Sequence, residues 1–251
     1  MKGEIRKLVA FADLAKRRKE QGLKATATSL HIVFTGNPGT GKTSVARIVG
    51  KIYKALGLLE KGHTIEVLRQ DLVGRYIGHT APQTQAKLED ALDGILFIDE
   101  AYSLTGNDFG NDFGPEAINT ILAFMENHRD RIAVIAAGYG DEMQDFVRSN
   151  PGLQSRFTRY IHFDDYSGTE LLQILEKLCR DSDYRLSDGA REKLLKHFDS
   201  VGDGKSGKDF GNGRYVRSMF EKLVESQALR VSVSSANDGL DLIEVDDIPS
   251  L

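Results

Sequence analysis

A parallel-sheet α/β fold of the P-loop, three-layer αβα kind, followed by a small helical domain, is what this sequence predicts. Three observations carry the expectation. Short apolar runs recur between amphipathic stretches, the pattern of buried strands alternating with helices. The first of these runs feeds directly into "GNPGTGKT" (Gly36–Thr43), a glycine-rich turn with a helical pattern behind it. After Tyr166 the strand signals stop and only helical periodicity continues.

Taken in order, Lys2 to Gln21 is charged and amphipathic and reads as a helix. "LHIVFT" (Leu30–Thr35) is a buried strand, and "TSVARIVGKIYKAL" is the helix that follows the turn. "IEVLR" (Ile65–Arg69) is a second strand, and it leads into "DLVGRYIGHT" (Asp71–Thr80). Thr80 with Ala81 and Pro82 marks a helix start. "GILFID" (Gly94–Asp99) is a third strand, and Pro115 opens the next helix. "RIAVIAAGY" (Arg131–Tyr139) and "YIHF" (Tyr160–Phe163) are the fourth and fifth strands. "SGTE" (Ser167–Glu170) is a capping box, and helices follow near "SDGAREKLLKHF" and "GRYVRSMFEKLVESQALR". "GDGKSGKDFGNG" (Gly202–Gly213) reads as a flexible connector, and the acidic "ANDGLDLIEVDDIPSL" carries no signal. The expected domains are an N-terminal helix and linker over 1–29, an α/β core over 30–166 and a helical domain over 167–251.

Bulk properties narrow the function classes. The chain has 251 residues, enough for a substantial core, and 40% hydrophobic against 28% charged residues is ordinary for a globular protein. A net charge of −4 argues against nucleic-acid binding as the main task. The single cysteine, Cys179, excludes an intramolecular disulfide, fits a reducing cytoplasm and lies where an amphipathic helix buries it. No apolar run reaches membrane-spanning length. The six histidines show no metal-ligand spacing, and His31 beside a strand reads as structural.

The chemistry is concentrated in two motifs. "GNPGTGKT" matches G-x-x-x-x-G-K-S/T in full, and it lies between a strand and a helix, where the mechanism needs it. Backbone N–H groups of Gly36, Asn37, Pro38, Gly39, Thr40 and Gly41 (the proline excepted) are placed to curl around phosphate oxygens, with the helix N-terminus adding positive potential. Lys42 then reaches the β- and γ-phosphates of ATP, and the Thr43 hydroxyl holds Mg²⁺. "ILFIDE" supplies the second half: Asp99 emerges at the carboxyl end of an apolar strand as a metal support, and Glu100 is the general base for water. Together these residues predict hydrolysis as well as binding.

Two look-alikes carry nothing. "GDGKSGK" has Asp209 where Ser or Thr should stand. "HRD" at His128–Asp130 and "DFG" at Asp108–Gly110 and Asp112–Gly114 occur in the reverse of the kinase order.

The arrangement resembles the AAA+ ATPases, and more closely their CbxX/CfxQ branch, which has sporulation, Rubisco activase and type VII secretion members. The matching text is "GNPGTGKTSVARIVGKIY", "DLVGRYIGHTAPQT", "ALDGILFIDEAYSL", "NDFGPEAINTIL", "MENHRD", "AGY", "NPGLQSRF" and "GNGRYVR", from about His31 to Arg230. The resemblance implies a homo-oligomeric ring, usually a hexamer, with ATP at each subunit interface. It implies that Arg156 is the arginine finger and Arg159 a second interface arginine. Such a finger is worth roughly 10³–10⁵ in rate. It implies that Arg214 is the sensor 2 residue of the lid, with Arg217 as the alternative. It places the substrate-gripping pore loop at Tyr76, Ile77 and Gly78, and so makes a protein chain the partner. The chain departs from the family pattern in two respects: Gly138 and Tyr139 stand where a polar sensor 1 residue is usual, and little sequence precedes the core. A nucleotide-gated scaffold and a DNA-dependent clamp-loader-type ATPase are the competing readings.

Overall fold

The computed structural model describes residues 29–105, 112–202, 210–233 and 239–249, with scattered positions among the first 23. The chain divides into two compact units, Met1–Gly36 with Lys42–Phe163, and Asn37–Gly41 with Asp164–Leu251.

The first unit is built on a five-stranded sheet of β1 (Ile32–Gly36), β2 (Thr64–Val67), β3 (Ile95–Ile98), β4 (Ala133–Gly138) and β5 (Arg159–Phe163). The order is β2-β3-β4-β1-β5, and all pairs are parallel. The alternation of side chains fills both faces. Val33, Leu96, Ile98, Val134 and Ala136 pack on one side with Leu88, Leu122, Met125 and Phe146. Ile32, Phe34, Ile95, Phe97 and Ile135 pack on the other with Ala46, Val49 and Tyr53. This two-sided burial is why β3 and β4 read as unbroken apolar runs. On edge strand β5 the pattern alternates instead: Ile161 and Phe163 are buried, Tyr160 and His162 exposed.

The register aligns the carboxyl ends of three strands. Thr35 of β1 pairs with Gly138 of β4, and Ile98 of β3 pairs with Ala136. Gly36, Asp99 and Tyr139 therefore leave the sheet at one edge.

β2 is shorter than expected. It ends at Val67, and Arg69–Leu72 forms a single helical turn. The Asp71 carboxylate accepts the Leu68 N–H at 2.8 Å, which satisfies that donor off the ladder and starts the turn. Gly3, Arg6, Lys7, Val9, Ala10, Asp13, Leu14, Arg17 and Arg18 are helical and Gln21 lies in a turn; the other positions of the helix expected over Lys2 to Gln21 lie outside the described residues, as does the first DFG.

The second unit packs helices Gly168–Asp181, Asp188–Gly202 and Gly213–Val233 around Leu171, Leu175, Leu194, Phe198, Val216 and Leu223. Ser167 and Glu170 form the expected reciprocal cap. Cys179 is buried, and burial pushes its thiol up to about 11. One expectation needs correction. Positions 203–209 of the connector lie outside the described residues, but Phe210 and Asn212 are buried rather than loose. Residues 239–249 of the acidic C-terminal stretch, which carried no signal in the sequence, form regular structure. β7 (Leu242–Ile243) pairs parallel with β6 (Arg185–Leu186), and the buried Asp247 takes a two-pronged ion pair from Arg230 at 2.8 and 2.9 Å.

Candidate nucleotide site

β1 ends at Gly36, and the helix Lys42–Ala55 begins directly after the turn. Lys42 Nζ donates to the Gly36 carbonyl at 2.7 Å, so the ammonium is drawn back over the turn. Thr43 stands in the first helical turn, where unpaired amides and the helix dipole favour an anion.

Asn37–Gly41 belong with the second unit and are held by it. Asn37 Nδ2 donates to both carboxylate oxygens of Asp165, at 3.0 and 2.9 Å. Asn212 Nδ2 donates to the same carboxylate at 2.7 Å, and its Oδ1 accepts the Tyr166 N–H at 2.9 Å. The Tyr166 hydroxyl donates to the Thr40 carbonyl at 2.9 Å, and Gly213 N–H donates to the Gly39 carbonyl at 3.1 Å. Gly39 has φ of +74°, and a Cβ there would lie 2.1 Å from the Gly211 carbonyl. Only glycine lets the two backbones approach so closely. Asn212 is fully buried at a φ of 45°. Sequence reasoning missed Asp165, Tyr166 and Asn212; the signal available was an Asn between two glycines, which reads equally well as loop.

Asp99 and Glu100 follow β3. Asp99 N–H donates to the Val67 carbonyl at 3.0 Å, and its side chain accepts the Glu100 N–H at 3.1 Å. Asp99 is half-buried and Glu100 exposed. Glu100 takes the left-handed conformation, φ 51° and ψ 44°. That turn reverses the chain into the short 3₁₀ segment Ala101–Leu104.

At the end of β4 the absent polar residue has a physical reason. A Cβ on Gly138 would lie 2.7 Å from Tyr102 Cδ1 and 2.8 Å from Met143 Sδ. The place is filled by neighbours, with Tyr102 and Tyr139 ring centroids 6.0 Å apart.

Arg156 closes the helix Pro151–Arg156, and its Nη2 meets Glu126 Oε2 at 3.1 Å. Its carbonyl accepts from Ser29 Oγ at 2.7 Å. Arg159 opens β5 and is half-buried. Beside them His31 is buried, its Nδ1 accepting the Val134 N–H at 3.0 Å. Burial, aided by the Arg156 charge, lowers its pKa to about 4. In the second unit Arg214 and Arg217 are exposed on the helix Gly213–Val233.

The loop between Leu72 and Thr80 has a pinned base and an exposed tip. Thr80 Oγ1 accepts the Gly74 N–H at 3.1 Å, and Thr84 Oγ1 donates to the Leu72 carbonyl at 2.8 Å. Tyr76 and Ile77 are 69% and 82% exposed, so neither seeks the core. The Tyr76 ring rests edge-on against His79, centroids 5.5 Å apart. Among the described residues no helix is long and apolar enough to cross a membrane.

Comparison with known proteins identifies the family. Residues 32–165 match the profile of the ATPase family associated with various cellular activities (AAA), and residues 167–250 match that of an AAA lid domain. Stage V sporulation protein K of Bacillus subtilis is 47% identical over 92% of this chain and 71% of its own length. The chloroplastic ribulose bisphosphate carboxylase/oxygenase activase of Cyanidioschyzon merolae is 42% identical over 92% of this chain and 78% of its own. The crystal structure of the FIGL-1 AAA domain in complex with ADP superimposes with a TM-score of 0.68 at 17% identity, covering 99% of this chain and 79% of that one, a likeness of fold. With core and lid profiles meeting beside Tyr166, the chain is an ATPase of the AAA family, in its CbxX/CfxQ branch.

Proposed function

We propose that the protein hydrolyses ATP with Mg²⁺ at the subunit interfaces of a homo-oligomeric ring, a hexamer, in the cytoplasm, and uses the cycle to remodel a protein substrate. The observation that carries the reading is the exposed Tyr76–Ile77 pair on a loop with a pinned base. Aromatic and aliphatic surface held out on such a loop grips an extended chain of any sequence, because apolar contact needs no matching partner.

The chain's own residues divide the chemistry. Amides of Gly36–Thr43 and the Lys42 ammonium bind the phosphates. The Thr43 hydroxyl and Asp99 carboxylate are hard oxygen donors and fit Mg²⁺, which would neutralise phosphate charge when bound. Glu100 takes the proton of the attacking water. Arg156, with Arg159 beside it, is offered to the γ-phosphate of a neighbouring subunit. Arg214 senses the nucleotide from the lid. The name of the algal relative makes Rubisco one candidate substrate.

The test combines three measurements on the full chain. Particle size with and without ATP should show ring assembly, and specific ATPase activity should rise with protein concentration. Glu100→Gln should bind ATP and turn it over at least about 100-fold more slowly. Tyr76→Ala should keep ATPase activity and lose remodelling. Unchanged turnover in Glu100→Gln removes the catalytic assignment. Biological activity retained by Tyr76→Ala favours a nucleotide-gated scaffold, and salt-sensitive stimulation by DNA favours a clamp-loader role.

A further inference from the structure

One arginine joins the catalytic turn to the base of the Tyr76 loop. Arg69 opens the turn Arg69–Leu72, and its carbonyl accepts the Val73 N–H at 2.8 Å, at the root of that loop. The guanidinium reaches the other way. Nη1 donates to the Ser103 carbonyl, and Nη2 donates to Asp112 Oδ1 at 2.5 Å. Ser103 is tied to the candidate base, since its N–H donates to the Glu100 carbonyl at 2.9 Å. Asp112 Oδ1 also accepts the Gly114 N–H at 2.8 Å, where the helix Gly114–Asn127 begins. Packing around the guanidinium is tight: a Cβ on Gly114 would lie 2.2 Å from the Leu104 carbonyl oxygen and 2.9 Å from Arg69 Nη1.

The chemistry of the junction specifies arginine. Two acceptors on different segments are met by one planar fork at fixed angles, which a lysine ammonium cannot reproduce. The Arg69 and Asp112 side chains are 34% and 18% exposed, so the charge-assisted bond is partly shielded from water and salt. A continuous route results: Glu100 carbonyl, Ser103 amide and carbonyl, Arg69 guanidinium and carbonyl, Val73 amide. A displacement of the 101–104 turn is passed to the Arg69 fork through the Ser103 carbonyl.

We propose that Arg69 is a positioning residue that couples the nucleotide state at Glu100 to the position of the Tyr76 loop. The proposal rests on the reading of Glu100 as the hydrolytic base and of Tyr76 as the substrate grip.

The test uses the full chain carrying Ile77→Cys labelled with an environment-sensitive fluorophore; buried Cys179, its thiol pushed up to about 11, is a poor competitor for the label. Emission is compared in Mg-ATP and Mg-ADP, alongside ATPase rate and melting temperature. The parent should show an ATP-to-ADP difference. Arg69→Lys and Asp112→Asn should each cut that difference roughly threefold or more, with basal ATPase within about twofold. Asp112→Asn keeps shape and removes charge, so it carries the test if Arg69→Lys does not fold. An undiminished difference in Asp112→Asn, or no difference in a parent that hydrolyses ATP, overturns the coupling. Failure of the unlabelled wild type to hydrolyse ATP overturns the underlying reading, and the coupling with it.

Discussion

Asn37 and Asp165 are bound through one amide nitrogen and both carboxylate oxygens, and Asn212 donates to the same carboxylate, at Oδ1. The residue after Gly36 in the candidate phosphate-binding turn is thereby fastened to the residue that precedes Tyr166. Asn212→Gly keeps the positive φ and deletes the amide, leaving the Tyr166 N–H and Asp165 short of a partner. We expect a stability loss of about 2 kcal/mol and ATP affinity weakened roughly tenfold. Thermal melts and titration with a fluorescent ATP analogue check both.

His31 makes stability depend on pH. The folded state holds it neutral, with a pKa lowered to about 4 from 6.5. The unfolded chain therefore binds a proton first as pH falls, so stability drops from about pH 6.5 down to about pH 4 and is complete above that window. The loss attributable to His31 is about 3 kcal/mol. His31→Asn keeps an acceptor near the Val134 N–H and does not titrate, so urea midpoints at pH 7 and pH 4.5 should differ less in the variant.

Gly138→Asn, which installs the polar residue the family resemblance leads one to expect, should destabilise the protein by about 1–3 kcal/mol, because Tyr102 and Met143 already fill the space. A lowered urea midpoint with no gain in ATPase rate is the expected outcome.

Arg230→Met should leave the Asp247 carboxylate buried without its fork and cost at least about 2 kcal/mol. Hydrogen exchange should speed up first in the C-terminal turns of the helix Gly213–Val233 and in β7.

The middle of the sheet was legible in the sequence because β3 and β4 bury both faces, and "ILFI" or "AVIAAG" can hardly be read otherwise. The positions of the Gly36–Thr43 turn after β1 and of Asp99–Glu100 after β3 were legible because the motifs fix residue type and spacing next to an apolar strand. The Arg69–Leu72 turn was not, since it begins with a carboxylate capping Leu68 rather than with a periodic pattern. Asn212 escaped notice because its partners Tyr166 and Asp165 lie 46 and 47 residues away. β6 and β7 have two residues each, too few for any period to show.

Glu100 sits at φ 51° and ψ 44°, a conformation that strains a residue with a Cβ by roughly 1 kcal/mol or more. Glycine or asparagine would occupy that backbone with less strain, and neither takes a proton from water. With Glu100 as the base proposed above, a laboratory selection for heat tolerance alone should therefore drift away from glutamate here, raising the melting point as turnover disappears. Durability and work are opposed at a single torsion angle, and keeping the glutamate requires selecting for activity itself.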